Sequence, residues 1–243
     1  MILYQPINGY CYNSDTHFLY NFFKLSTNHY KNIQGELLDV GSGSGILGLL
    51  LARDYDKLSL NQCEIQKEFQ FLSQKNSSIN NIFSNIYCGS LFELQFDKQF
   101  DYIVSNPPFY HSNVIKSENK NIKIARYNDS MPLKNFIQTA TKLLKNKGLF
   151  TFCYDAKQLA QIVSHLNSVK LNVEHIQFLH PKVSKESTLV MISARKNSKS
   201  LLKILPPMVM FNEDGSFTKN TLDIYEKCAT YSIKCDIQFE ENS

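Results

Sequence analysis

The run Leu37-Leu38-Asp39-Val40-Gly41-Ser42-Gly43-Ser44-Gly45-Ile46-Leu47-Gly48 constrains this chain more than any other stretch, because a short apolar segment meets four glycines and then a helical pattern. Glycine tolerates positive φ, so it is the residue that lets a strand turn sharply into a helix. Strand, glycine turn and helix begin a βαβ unit, and such units build parallel sheets covered on both faces. The rest of the chain keeps up the alternation. Short apolar runs at 36–40, 58–63, 84–88, 100–105, 148–154, 172–179 and 188–194 read as strands, and helical patterns fall near 15–25, 45–54, 65–76, 133–145 and 156–167. The last two strands follow one another across His180-Pro181-Lys182 without a helix, which suits an antiparallel hairpin at the sheet edge. The expected fold is α/β: a doubly wound, mostly parallel seven-stranded sheet with one antiparallel edge strand.

With 243 residues, 43% of them hydrophobic, the chain can bury one sizeable core, and a single domain over 1–243 is expected. Its longest mostly apolar stretch, Gly45 to Ala52, is too short to cross a bilayer, and Met1-Ile2-Leu3-Tyr4 runs into Gln5-Pro6 without a charged leader. A cytoplasmic location without membrane attachment is the expectation. Cys11, Cys63, Cys88, Cys153, Cys228 and Cys235 are scattered, with no CxxC pair and no histidines at ligand spacing, so neither disulfides nor a metal site is expected. A formal charge of +4 does not diagnose nucleic-acid binding, but its distribution is informative. Lys116, Lys120, Lys123 and Arg126 stand against Glu118 alone, and Arg195 to Lys203 holds four more basic residues and no acid. The first group lies in a long aperiodic connection between Pro107 and about Met131, and such loops in a compact domain are usually functional or disordered.

The glycine turn has two cofactor readings. Gly43, Gly45 and Gly48 match the GxGxxG dinucleotide fingerprint. Asp39 followed by Gly41, Gly43 and Gly45 instead gives an acid and alternating glycines, the pattern of S-adenosylmethionine-dependent methyltransferases. A carboxylate at the strand end repels a pyrophosphate, whereas it can hold the ammonium of the methionyl end. Asp39 therefore favours the methyl donor. Glu64, 19 residues after Gly45 and at the end of the next strand, is placed to accept ribose hydroxyls under either reading. After the third strand, Ser90 stands where many methyltransferases carry an acid facing the adenine, which leaves Ser90 or the backbone of Leu91 for that contact.

The second motif, Val104-Ser105-Asn106-Pro107-Pro108-Phe109-Tyr110, closes the fourth strand. Two prolines end the ladder and hold Asn106 extended. In a doubly wound sheet this strand end lies beside the glycine turn, at the switch point where ligands bind. The side-chain oxygen of Asn106 and the carbonyl of Pro107 offer two acceptors for one planar amino group, while Phe109 can stack on the attached ring. Drawing both hydrogens toward acceptors favours a pyramidal nitrogen and frees its lone pair, so this clamp suits methyl transfer to an amine or amide nitrogen.

These motifs and their surroundings resemble the N6-adenine methyltransferases that modify valine tRNA next to the anticodon. The likeness runs over about residues 5 to 226: QPINGYCYNSDTHFLYNFF, LLDVGSGSGILGLLLA, DYIVSNPPFY, IKIARYND and LPPMVMFNEDGSFTKNTLDIY. It implies a Rossmann-like class I methyltransferase fold, with 1–35 closing over the cofactor, 36–195 as catalytic core and 196–243 as an extension. It also implies S-adenosylmethionine as cofactor, tRNA as partner, no metal, and a monomer. Tyr10, Asn13, Ser14 and Asp15 would then lie near the methionyl end, although Asn13 or Ser14 also suits a helix N-cap. Pro108, Tyr110, Lys116, Lys120, Lys123 and Arg126 would meet the RNA. Two rivals remain: a methyltransferase for a guanine amino group of rRNA or a protein glutamine amide, and a non-catalytic RNA-binding protein that retains the cofactor fold.

Overall fold

The structure is a computed structural model and describes residues 1–7, 11–107 and 131–236. In chain order the elements are β1 (Ile2–Pro6), α1 (Ser14–Thr27), β2 (Gly35–Val40), α2 (Ile46–Asp54), β3 (Leu58–Glu64), α3 (Lys67–Ile79), β4 (Ser84–Cys88) and β5 (Phe100–Ser105). There follow α4 (Leu133–Leu143), β6 (Leu144–Asp155), α5 (Leu159–Ser168), β7 (Leu171–His180), β8 (Leu189–Lys196), β9 (Lys203–Ile204), β10 (Met208–Val209), α6 (Lys219–Cys228) and β11 (Tyr231–Cys235). Every strand and helix expected from periodicity is present. α4 shows why: Leu133, Phe136, Ile137 and Ala140 recur at helical spacing and are its buried face.

The larger sheet runs β10-β7-β8-β6-β5-β2-β3-β4, with β9 also paired to β7. From β2 the chain winds outward through β3 and β4, then crosses back to place β5 on the other side of β2. This reversal is the switch point, where the carboxyl ends of adjacent strands diverge and leave a crevice. Ser105 lies opposite Val40 across that seam, and its hydroxyl donates to the Val40 carbonyl at 2.7 Å.

The hairpin expected at the end of the sheet is present, with its reversed member on the inside. β8 is antiparallel to both β6 and β7, and so stands between them one place in from β7. A chain that leaves β7 by a tight turn fills the gap beside β6 as it returns. The short strands β9 and β10 add in parallel to the outer side of β7, so nine strands replace the expected seven.

A second, two-stranded sheet pairs β1 in parallel with β11 from the other end of the chain. It is fastened to α3, where the Asn76 and Asn80 side chains accept from the backbone amides of Tyr4 and Ile2. Periodicity did not reveal β1, β11 or α6. β11 buries too little to show a two-residue alternation, and its partner is more than 220 residues away. One hydrophobic cluster nonetheless takes in Leu3 from β1, Phe18, Phe22 and Phe23 from α1, the sheet, and Ile224 and Cys228 from α6.

Candidate active site

The glycine turn follows β2 as expected. Gly41, Gly43 and Gly45 have φ of 64°, 55° and 87°, a region that penalises any side chain. Gly45 has a second constraint, since a Cβ there would stand 2.7 Å from Gln62 Oε1. Asp39, 1% exposed, accepts from the Gly48 backbone amide at 2.8 Å through Oδ2. Burial pushes its carboxyl up to about 7, against the pull of the Gly48 N–H and with help from the nearby Glu64 charge. Glu64 accepts from Gly43 N at 2.9 Å and from Gln66 N at 2.8 Å, one bond on each oxygen. Burial raises its carboxyl too, and the surrounding backbone amides only partly offset this. The sequence pointed to a ribose for Glu64, and in the structure its carboxylate braces the turn. Each oxygen retains a further lone pair, so bracing and hydroxyl binding are compatible.

At the other side of the seam, Asn106 follows β5 and is engaged at both ends of its amide. Nδ2 donates to Thr16 Oγ1 at 3.1 Å, and the Cys153 thiol donates to Oδ1 at 3.0 Å. Thr16 arrives from the first turn of α1. Cys153 arrives from β6, one residue beyond Phe152, which pairs with Ser105. Pro107 is buried behind Asn106. Asp39, Gly41, Gly43 and Asn106 line one open-sided cavity, together with Tyr12 and Thr16. Ser42 lines the same cavity, and its buried hydroxyl has no hydrogen-bond partner among the described residues.

Some expected site residues lie elsewhere. Asp15 does not line the cavity: its Oδ2 accepts from Asn13 Nδ2 at 2.7 Å. Asn13 is the N-cap of α1, but its side chain makes no capping bond. Ser90 and Leu91 are also outside this cavity; Ser90 accepts from the Phe92 amide and Leu91 is buried. They follow β4, whose neighbour β3 carries Glu64, and the Gly89 amide bonds to the Glu64 carbonyl at 3.0 Å. Tyr10, Pro108, Phe109, Tyr110, Lys116, Lys120, Lys123 and Arg126 fall outside the described residues. The basic run from Arg195 begins with structural contacts: Arg195 pairs with Glu174 at 2.9 Å, and Lys196 donates to the carbonyls of Thr141 and Leu144.

Sequence reasoning missed Tyr12, Thr16, Ser42 and Cys153. It also missed Gln5, whose Nε2 donates to Ser44 Oγ in the turn at 2.5 Å and whose Oε1 accepts from Tyr12 N at 3.4 Å. Cys153 was within reach of a register argument, since the ends of adjacent parallel strands must meet. Nothing local marks Thr16 or Gln5.

Residues 16–178 match the family model described as the methyltransferase small domain, a stretch that takes in the turn, Glu64 and Asn106. The chain belongs to that family. Its fold is that of class I methyltransferases and its cofactor is S-adenosylmethionine. The cavity fits this cofactor on its own terms: among the described residues, a buried carboxylate with no cation beside it, a glycine turn with open space at Gly43, and a Ser42 hydroxyl without a partner. Similar curated proteins include the tRNA1(Val) (adenine(37)-N6)-methyltransferase of Flavobacterium psychrophilum, 26% identical over 66% of this chain and 71% of that one. The protein of the same name from Christiangramia forsetii is 30% identical, over 53% of this chain and 58% of its own length. That from Porphyromonas gingivalis is 26% identical over 83% and 76%.

Among solved structures, a predicted O-methyltransferase from Agrobacterium tumefaciens superposes with a TM-score of 0.65 at 15% identity, covering 90% of this chain and 99% of that one. The T. thermophilus 16S rRNA N2 G1207 methyltransferase, in complex with AdoMet and guanosine, gives 0.56 at 19%, covering 78% and 45%. These likenesses establish the fold. Among the described residues no helix is long and apolar enough to cross a membrane, and no group of three or more His, Cys, Asp or Glu side chains could hold a metal ion.

Proposed function

We propose that this methyltransferase acts on the N6 amino group of an adenine in a tRNA anticodon loop, in the cytoplasm. The observation that carries this reading is the meeting of Asp39, the glycine turn and Asn106 in one cavity at the switch point. The names of the curated relatives, tRNA1(Val) (adenine(37)-N6)-methyltransferase, supply the substrate class.

S-adenosylmethionine, when bound, supplies an electrophilic methyl group on a positively charged sulfur. Asp39 is the residue suited to its ammonium and the Ser42 hydroxyl to its carboxylate, with Glu64 suited to the ribose. Asn106 Oδ1 and the Pro107 carbonyl would accept the two amino hydrogens of a base taken out of its stack, and Phe109 would stack on it. Holding the amino group there orients the nitrogen lone pair toward the methyl carbon. The bound donor would supply the methyl carbon and leave as the neutral thioether with the C–S electron pair, and the methylated nitrogen would give up one proton to solvent. Positioning of this kind is worth up to roughly 7–11 kcal/mol in favourable cases.

The test is to incubate the protein with tritiated methyl donor and RNA from cells lacking the gene, then map the labelled nucleotide by mass spectrometry. N6-methyladenosine in tRNA is expected. Label in a guanine of rRNA, or in protein, would replace the substrate assignment. Cofactor binding with no RNA or protein labelled would leave the non-catalytic rival.

A further inference from the structure

Asn106 hangs from a stiff strand end, but a strand end does not decide which way an amide faces. Turned by 180° about its last torsion, the side chain would exchange its acceptor for its donor, and a site built to receive an amino group would repel one. Two neighbours resolve the choice. Cys153 is fully buried, and burial, aided by the Asp15 charge nearby, raises its thiol well above the ordinary value, so it keeps its proton and donates. A thiol that keeps its proton can donate to the amide oxygen, whereas sulfur is only a weak acceptor for the NH2 group, so a thiol 3.0 Å from the amide favours the oxygen on its side. The Thr16 hydroxyl, which can give or take, then accepts from Nδ2 at 3.1 Å. Among the described residues these are its side-chain partners, which leave one lone pair on Oδ1 and one N–H on Nδ2.

We infer that Thr16 and Cys153 are positioning residues, which lock the Asn106 amide with its oxygen presented as an acceptor and so select an amino group as the methyl acceptor. This rests on the functional reading above. It also gives the opening helix a part in catalysis: α1 reaches the catalytic strand end through Thr16, 90 residues away in sequence.

The experiment uses the full chain with asparagine 15N-labelled, the Asn106 side-chain signals being assigned by their loss in Asn106→Ala. In Thr16→Val and Cys153→Ala, the Asn106 NH2 resonances should shift and exchange faster with solvent, whereas Thr16→Ser and Cys153→Ser should stay near wild type. In turnover, Thr16→Val should lower kcat about 3- to 10-fold, as the loss of one net hydrogen bond implies. KM for tRNA should stay within about twofold, because the ground state does not use the lock, and the rate is compared at saturating methyl donor because Thr16 also lines the cavity. Thr16→Ser should restore the rate. In an Asn106→Ala background Thr16→Val should have no further effect, since a residue acting only through Asn106 cannot act without it. Unchanged amide resonances in both Thr16→Val and Cys153→Ala would overturn the lock, whatever the protein methylates. Shifted resonances with a wild-type kcat would overturn its part in catalysis. A wild-type protein that methylates no tRNA adenine would overturn the functional reading itself, and the role assigned to the lock with it.

Discussion

Helix α2 runs between a buried aspartate and a partly buried one, which the protein treats in opposite ways. Asp54, its last residue, is met by Lys24 and Tyr20 from α1 and by Arg53 at 2.8 Å. Burial alone would raise its carboxyl, but the hydrogen bonds from Lys24, Tyr20 and Arg53 outweigh it and the net direction is down. Asp39, before the turn that opens α2, has one backbone amide and a neighbouring carboxylate, and its carboxyl is pushed up to about 7. A charge the protein completes by itself belongs to the framework. A carboxylate buried without a cation is costly unless something supplies one, and this one lines the cavity. The contrast locates the ligand site without any motif.

Four measurements can break or sharpen this comparison. The largest expected effect is in the pH dependence of stability. Asp39 holds its proton more tightly folded than unfolded, so its contribution is intact below the unfolded value of about 4 and is lost as pH rises toward about 7. Asp39→Asn should therefore gain on wild type over that window, by on the order of 3–4 kcal/mol in chemical denaturation. A flat difference would mean that Asp39 is already compensated. Asp54→Asn should show the reverse sign. With its carboxyl lowered in the fold, Asp54 stabilises above the ordinary carboxylate range and loses that contribution as pH falls through its folded value.

Second, Asp39→Ala should weaken S-adenosylmethionine binding by about 10- to 100-fold in calorimetry, the loss of a charge-assisted hydrogen bond. Asp54→Ala should leave that affinity within about twofold, and equal losses in the two variants would erase the distinction. Third, Asp54→Ala should lower unfolding stability by about 1–2 kcal/mol, held down because Lys24 and Arg53 are partly exposed and can turn to water. Smallest is Glu64→Gln. Its amide oxygen can still accept one of the backbone bonds, so about a 3- to 10-fold loss of cofactor affinity is expected, with little change in melting temperature. A large melting shift with unchanged affinity would make Glu64 a brace only.

How much of this was legible beforehand follows from where each signal lives. Asp39, the glycines and Asn106 could be read because strand, turn and helix are adjacent in sequence and the switch-point rule brings two strand ends together. The position of Glu64 was legible in the same way, but its bonds to Gly43 and Gln66 were not, because a spacing does not say which lone pairs the backbone takes. Tyr12 and Thr16 lie in the same opening segment as Asn13, Ser14 and Asp15, and nothing local sets them apart. Within α1 the phase of the first turn decides that Thr16 and not Asp15 lines the cavity, and the sequence does not give that phase. The closing strand β11 left almost no trace, because its stability comes from pairing with β1 and not from its own pattern.

The sequence by itself determined the alternation of strands and helices, the turn that suits glycine after β2, and the end of β5 at Asn106-Pro107. These are local consequences of backbone sterics and apolar spacing, and no distant contact is needed to set them. Tertiary structure alone decided that β8 returns inside the hairpin, that the two ends of the chain pair, and that Thr16 and Cys153 take the two ends of the Asn106 amide. Those outcomes join residues tens to hundreds of positions apart. Their energy arises only when both partners have left water together, so neither partner carries a mark of the other in its own stretch of sequence.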